Sequence, residues 1–128
     1  MINTKTTVGA IMSKHLLFVR TDHDLMQACR LFSEMAIHHL PVLDQDGQLA
    51  GMLSSTDVFK ALVNEDRSVN NATVEELMNR QLISIENNAT IAEAASKFRK
   101  NNVHSLLVME GQEVKGIVTG NDILRALA

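Results

Sequence analysis

The sequence predicts an α+β fold of two tandem β-α-β-β-α repeats, related by a pseudo-twofold and sharing a core. Three observations predict it. First, Val8-Gly9-Ala10-Ile11-Met12 returns as Val74-Glu75-Glu76-Leu77-Met78, a shift of 66 (12 to 78) that also carries Leu16 to Leu82, Ala28 to Ala94, Phe32 to Phe98, His38 to His104 and Val42 to Val108. After one deletion in a hairpin turn the shift becomes 65 (57 to 122), taking Gly51 to Gly116, Asp57 to Asp122 and Ala61-Leu62 to Ala126-Leu127. Second, both copies carry the same order of strand-like and helix-like patterns, as one structural unit used twice would. Third, a repeat of about 60 residues buries only about 60% of its unfolded surface, too little to stand comfortably alone, so the copies are expected to share a core.

Each copy reads as a short opening helix or turn, then a strand, helix, hairpin and closing helix. Leu16 to Arg20 and Leu82 to Glu86 are short apolar runs that suit buried strands. Leu25, Ala28, Cys29, Phe32, Met35 and Ala36 fall at helical spacing, as do Ile91, Ala94, Ala95 and Phe98. Asp24 with Gln27, and Thr90 with Glu93, stand where a cap satisfies free N–H groups at a helix start. Hairpins are expected from Leu40–Asp44 with Leu49–Ser54 and from Leu106–Glu110 with Val114–Thr119, turning at Asp46-Gly47 and Gly111-Gln112. Closing helices are expected from Asp57 to Val63 and from Asp122 to Ala128. The polar stretch from Asn64 to Thr73 has no apolar period and reads as a surface linker, dividing the chain into repeats 1–63 and 74–128 around a linker 64–73.

Composition narrows the function classes. Twelve basic and 15 acidic residues give a formal charge of −3 without a Lys/Arg run, so neither nucleic acid nor an anionic membrane is an expected partner. With no Trp or Tyr and four Phe, there is little material for stacking bases. No apolar stretch approaches the roughly 20 residues of a membrane span. A single cysteine, Cys29, makes a reducing compartment the simpler assumption, and a cytoplasmic location is expected. Cys29 reads as a structural thiol on its helix stripe, and Met12, Met26, Met35, Met52, Met78 and Met109 read as core filler. No metal site is expected, because His38 and His39 are adjacent on a strand and point to opposite faces.

The polar repeats carry the chemistry. Ser54-x-x-Asp57 and Thr119-x-x-Asp122 stand where a strand ends and a helix begins, where free N–H groups favour an anion. An ionised Asp accepts only, and its two oxygens can take both hydroxyls of a ribose diol at about 1.5–3 kcal/mol per charge-assisted bond. The same spacing is also that of a capping box, a purely structural device. Neither a nucleophile with a base nor a paired acid and base emerges, so no enzymatic activity is expected.

The Val-x-x-Ile/Leu-Met openings, the His38-His39-Leu40-Pro41-Val42 strand entry and the Gly51-Met52-Leu53-Ser54-Ser55-Thr56-Asp57 turn resemble the cystathionine β-synthase (CBS) domain family. His104-Ser105-Leu106-Leu107-Val108 and Gly116-Ile117-Val118-Thr119-Gly120-Asn121-Asp122 repeat the likeness, which covers Val8 to Leu127. The resemblance implies a tandem CBS pair, or Bateman module: a regulatory unit that binds adenine-containing ligands in clefts between its repeats and assembles as a homodimer. It implies Asp57 and Asp122 on ribose hydroxyls, with Ser54 and Thr119 beside them. Adenine would then enter a slot lined by Leu17–Val19 with His39–Pro41, or by Ile83–Ile85 with Ser105–Leu107. In the family the position of His39 often carries a basic group that meets a phosphate; Ser105 replaces it in the second copy, leaving the clefts chemically unequal. A protonated His39 would make polyphosphate affinity depend on pH near neutrality. His38 and His104 complete the candidate ligand residues, among which Val19 and Ile85 represent the first strands and Pro41 the strand entry.

The expected function is therefore non-enzymatic sensing of AMP, ADP or ATP, with no obligatory cofactor, transmitted to a regulated protein through a conformational or dimer change. S-adenosylmethionine is the alternative ligand. A ligand-free interaction or dimerisation domain is the alternative from a different class.

Overall fold

The computed structural model describes residues 3–64 and 71–128. Its elements run α1 (Val8–Ile11), β1 (Val19–Arg20), α2 (Leu25–Met35), β2 (His39–Leu43), β3 (Leu49–Ser54) and α3 (Ser55–Val63), then α4 (Val74–Leu77), β4 (Ser84–Glu86), α5 (Ile91–Asn101), β5 (Ser105–Glu110), β6 (Glu113–Thr119) and α6 (Gly120–Leu127). Two three-stranded sheets result, ordered β1-β2-β3 and β4-β5-β6. In each, the first strand pairs parallel to the second and the second pairs antiparallel to the third. A parallel pair needs a crossover, which α2 and α5 supply. The α+β class and its duplication are as the sequence predicts.

The opening strands are shorter than the Leu16–Arg20 and Leu82–Glu86 runs suggest, and they differ from each other. Leu107 donates its N–H to the Ile83 carbonyl at 3.0 Å, so the β4–β5 ladder is already paired at Ser84. Pro41 stands at the matching place in β2 and has no N–H to give, so pairing there starts one position later, at Val19 with Val42. The closing helices begin at Ser55 and Gly120 rather than at Asp57 and Asp122, because Ser54 and Thr119 are the caps and the two Asp residues lie inside the first turn.

The chain divides into a central unit, Leu17–Gln81, and a composite unit, Met1–Leu16 with Leu82–Ala128. The sharing of a core takes the form of an exchange of opening turns. In the central unit Val74 (0% exposed) and Met78 pack with Val19, Leu25, Leu40 and Leu53, so the second copy's opening turn completes the first copy's sheet. In the composite unit Val8 (0% exposed) packs with Ile85, Ala94, Leu106 and Val118. These two clusters fall one in each unit.

Each exchanged turn is fixed by backbone. Val8 N–H and Gly9 N–H donate to the Ala89 and Asn87 carbonyls at 2.8 and 2.9 Å, while Val74 N–H reaches the His23 carbonyl at 3.1 Å. Beyond each turn the chain crosses a hairpin beside a glycine: Met52 and Asn79 exchange two bonds of 2.9 and 2.8 Å, and Ser13 and Ile117 two of 2.9 and 3.1 Å. A Cβ on Gly51 would stand 2.8 Å from the Asn79 carbonyl oxygen, and one on Gly116 2.6 Å from that of Ser13, so both crossings require a bare α carbon.

Helix ends follow the capping residues. Asp24 accepts from Gln27 N–H at 3.0 Å and Thr90 from Glu93 N–H at 3.2 Å. Their C-caps, Ala36 and Asn102, both take the left-handed conformation, at φ 53° and 51°. Most of the expected linker, residues 65–70, lies outside the described residues. The surface reading does not extend to Ala72, which is 5% exposed, belongs to the central core and accepts the Leu25 N–H. The methionine reading also needs correction: Met52 and Met78 are buried, whereas Met26 and Met35 are exposed, because they fall outside the face that α2 buries through Leu25 and Ala28.

Candidate functional site

Each closing helix starts from a complete capping box. Ser54 Oγ accepts the Asp57 N–H at 3.1 Å while Asp57 Oδ2 accepts the Ser54 N–H at 3.2 Å. Thr119 Oγ1 accepts the Asp122 N–H at 3.4 Å, and Asp122 Oδ2 accepts the Thr119 N–H at 2.8 Å. The structural use of Ser/Thr-x-x-Asp is therefore real in both copies. It occupies one carboxylate oxygen and leaves the other to be accounted for.

That accounting differs between the copies. Asp122 is only 8% exposed, its Oδ2 also accepts from Thr119 Oγ1 at 3.1 Å, and its Oδ1 lies 3.6 Å from the Arg125 guanidinium. Asp57 is half-buried, and its Oδ1 has no hydrogen bond or ion pair among the described residues. The Arg125 contact was missed from sequence, although its i,i+3 spacing from Asp122 on one helix was the signal for it.

The hairpin register brings the other candidates to these turns. His39 lies opposite Ser54, and Ser105 opposite Thr119. His38 is exposed, and its carbonyl accepts the Ser55 N–H at 2.9 Å while its Nδ1 lies 3.4 Å from Ser55 Oγ, so the start of α3 is tied to the entry of β2. His104 is exposed just before β5. Pro41 is fully buried, and Val19 (1% exposed) and Ile85 (5%) belong to the two cores, so the side chains of these two residues are spent on packing. What the first strands have left to offer a ligand is backbone.

Among the described residues no group of three or more His, Cys, Asp or Glu converges as a metal site would. No described helix is long and apolar enough to cross a membrane. Cys29 packs against the central core, and burial pushes its thiol above the ordinary cysteine value, which disfavours the nucleophilic thiolate.

Two like-built α+β units, each ending a hairpin in a polar turn that caps a helix, define a duplicated α+β module. The chain belongs to the CBS domain family, whose model matches residues 8–64 and 74–128, making it a tandem CBS pair. It is 33% identical over 121 residues to L-aspartate semialdehyde sulfurtransferase of Methanocaldococcus jannaschii, covering 94% of this chain but 23% of that protein. It is 32% identical to a CBS domain-containing protein of Dictyostelium discoideum, covering 96% of this chain and 92% of that one. The chain thus spans about a quarter of the first relative, an enzyme in which the matching region is one part. Among solved structures it is similar to the CBS domain pair of protein MJ0100 in complex with 5′-methylthioadenosine and S-adenosyl-L-methionine, at 31% identity and a TM-score of 0.82, covering 96% of this chain and all of that one.

Proposed function

We propose that this chain is a non-catalytic sensor of an adenosine compound, bound at the strand-to-helix turns that carry Ser54-x-x-Asp57 and Thr119-x-x-Asp122. The observation that carries the reading is the half-buried Asp57, whose second oxygen has no partner among the described residues, at a helix start beside Ser54 and opposite a strand bearing His39. A carboxylate so placed accepts from ribose hydroxyls, and nearby hydroxyl and N–H groups suit what hangs from the 5′ carbon. The solved MJ0100 pair, which holds two adenosine derivatives, supports this ligand class. AMP, ADP and ATP remain the first ligands to test because imidazoles stand at the β2 entry. S-adenosylmethionine is the second, favoured by that same neighbour.

The reading includes a homodimer. Phe59, Leu62 and Val63 of α3 are each about 60% exposed, and Leu124, at the place in α6 that matches Phe59, is 66% exposed. Exposed apolar helix faces of this kind are suited to a second copy. A ligand transmits a signal only through unequal affinity for two states, so the regulated partner must distinguish the filled from the empty module.

Thermal unfolding with and without AMP, ADP, ATP and S-adenosylmethionine tests the reading. A ligand at 100 times its dissociation constant should add about 2.7 kcal/mol, a rise of roughly 5–10 °C. No rise with any of them would leave an interaction or dimerisation domain.

A further inference from the structure

The two glycine crossings are built alike but differ in how far their methionines are covered. In the central unit a Cβ on Gly51 would stand 2.7 Å from Met78 Sδ and 3.0 Å from its Cγ. In the composite unit a Cβ on Gly116 would stand 2.6 Å from Met12 Sδ and 2.9 Å from its Cγ. Each thioether thus lies against a bare α carbon, in space that any side chain there would fill. Met78 is 8% exposed, whereas Met12 is half-buried. One crossing is sealed; at the other, solvent reaches the methionine.

Thioether oxidation is the chemistry that this difference selects. The sulfur lone pair attacks one oxygen of hydrogen peroxide and the O–O bond breaks. That oxygen stays on sulfur as a sulfoxide and the other leaves as water, so the thioether is oxidised by two electrons and the peroxide reduced. The product is polar where the thioether was apolar, and it adds a heavy atom to a sulfur with no room on its Gly116 side. The new oxygen needs a donor, but the N–H groups of Ser13 and Ile117 are already given to each other's carbonyls. Met12 also packs against the core cluster that contains Val8 and Val118, so a sulfoxide there disturbs the seat of the opening turn. Met26 and Met35, at 44% and 54% exposure, are easier targets, but they lie off the face that α2 buries.

We propose that Met12 is a redox latch: hydrogen peroxide converts its thioether to the sulfoxide and thereby releases the opening turn, Val8–Ile11, from the composite unit, while the central crossing at Met78 holds. A methionine sulfoxide reductase drawing on thiols closes it again. The latch acts without any bound ligand.

Peroxide in molar excess over the full chain, quenched at intervals, tests this. Peptide mass mapping reads the sulfoxide at each methionine, and hydrogen exchange compares the Ser13 and Ile117 amides with those of Met52 and Asn79. Sulfoxide should accumulate first at Met26 and Met35, then at Met12, and last at Met78. Protection at Ser13 and Ile117 should be lost in step with Met12 oxidation while Met52 and Asn79 keep theirs, and the unfolding temperature should fall by roughly 5 °C or more. The reductase with a thiol should restore both. Met12→Leu, close in volume but without sulfur, retains Met26, Met35 and Met109, so its composite crossing should stay protected in peroxide. If Met12→Leu does not fold, the wild-type time course decides alone, because protection must follow Met12 and not the faster Met26 and Met35. Met12 left unoxidised in the folded chain, protection at Ser13 and Ile117 that survives Met12 oxidation, or an equal loss in Met12→Leu would overturn the proposal.

Discussion

The central and composite units close their hairpins with the same capping box, but they arrive at opposite polar states. Around Asp122 every oxygen has a partner, Lys97 covers a strand-edge carbonyl, and Leu107 completes the ladder. Around Asp57 one oxygen has no partner among the described residues, and Pro41 deletes the matching ladder bond. The difference teaches that duplication preserves packing more strictly than hydrogen bonding. Val8 and Val74, Leu40 and Leu106, and Leu53 and Val118 are all buried in corresponding roles.

The largest test of this comparison concerns the exchanged turns. Val8→Asp places a charge at a site with 0% exposure and should cost on the order of 4 kcal/mol. Hydrogen exchange should then show protection lost first at Leu106–Val108 of β5, the other copy's strand. Val74→Asp should instead open Leu40–Val42 of β2. Damage that stays within the mutated copy would break the exchange.

Next comes the cap pair. Asp122→Ala should cost about 1–2 kcal/mol and Asp57→Ala about 0.5–1 kcal/mol, since the first removes a more buried and better-bonded carboxylate. Urea midpoints of the two variants would compare them directly, and equal losses would erase the asymmetry.

The smallest expected effect is a gain. Ala36 takes φ 53° with a Cβ that disfavours it, whereas Asn102 at the matching C-cap tolerates the left-handed region. Ala36→Gly should therefore stabilise by about 0.5–1 kcal/mol in the same urea assay, while Asn102→Gly should change little.

Most of the fold was legible because each copy checks the other. Asp24 and Thr90 could be read as caps, and Gly47 and Gly111 as turns, from local chemistry alone. The exchange was not legible, since the periodicity around Val8 states which face is buried but not which sheet buries it. Ala72 escaped for a related reason: one small residue in a polar stretch carries no pattern, and its burial comes from the helix start it meets. At the site, Ser54-x-x-Asp57 and Thr119-x-x-Asp122 were found, but their carboxylates could not be told apart. That distinction depends on the Thr119 hydroxyl, which donates to Asp122 Oδ2, and on the reach of Arg125 to Asp122 Oδ1, where Lys60 at the matching place makes no ion pair with Asp57 among the described residues.

The backbone bonds between Thr6 and Ile91, and between Val8 and Ala89, set an order of events for synthesis. Residues 6–11 leave the ribosome before residues 82–128, so their seat does not exist until that later stretch has followed. In the interval Val8 and Ile11 are without a home, while the stretch from Leu17 to Gln81 already contains everything its own core requires. Assembly of the pair should thus start from Leu17–Gln81, with residues 6–11 waiting on residues 82–128 for their place.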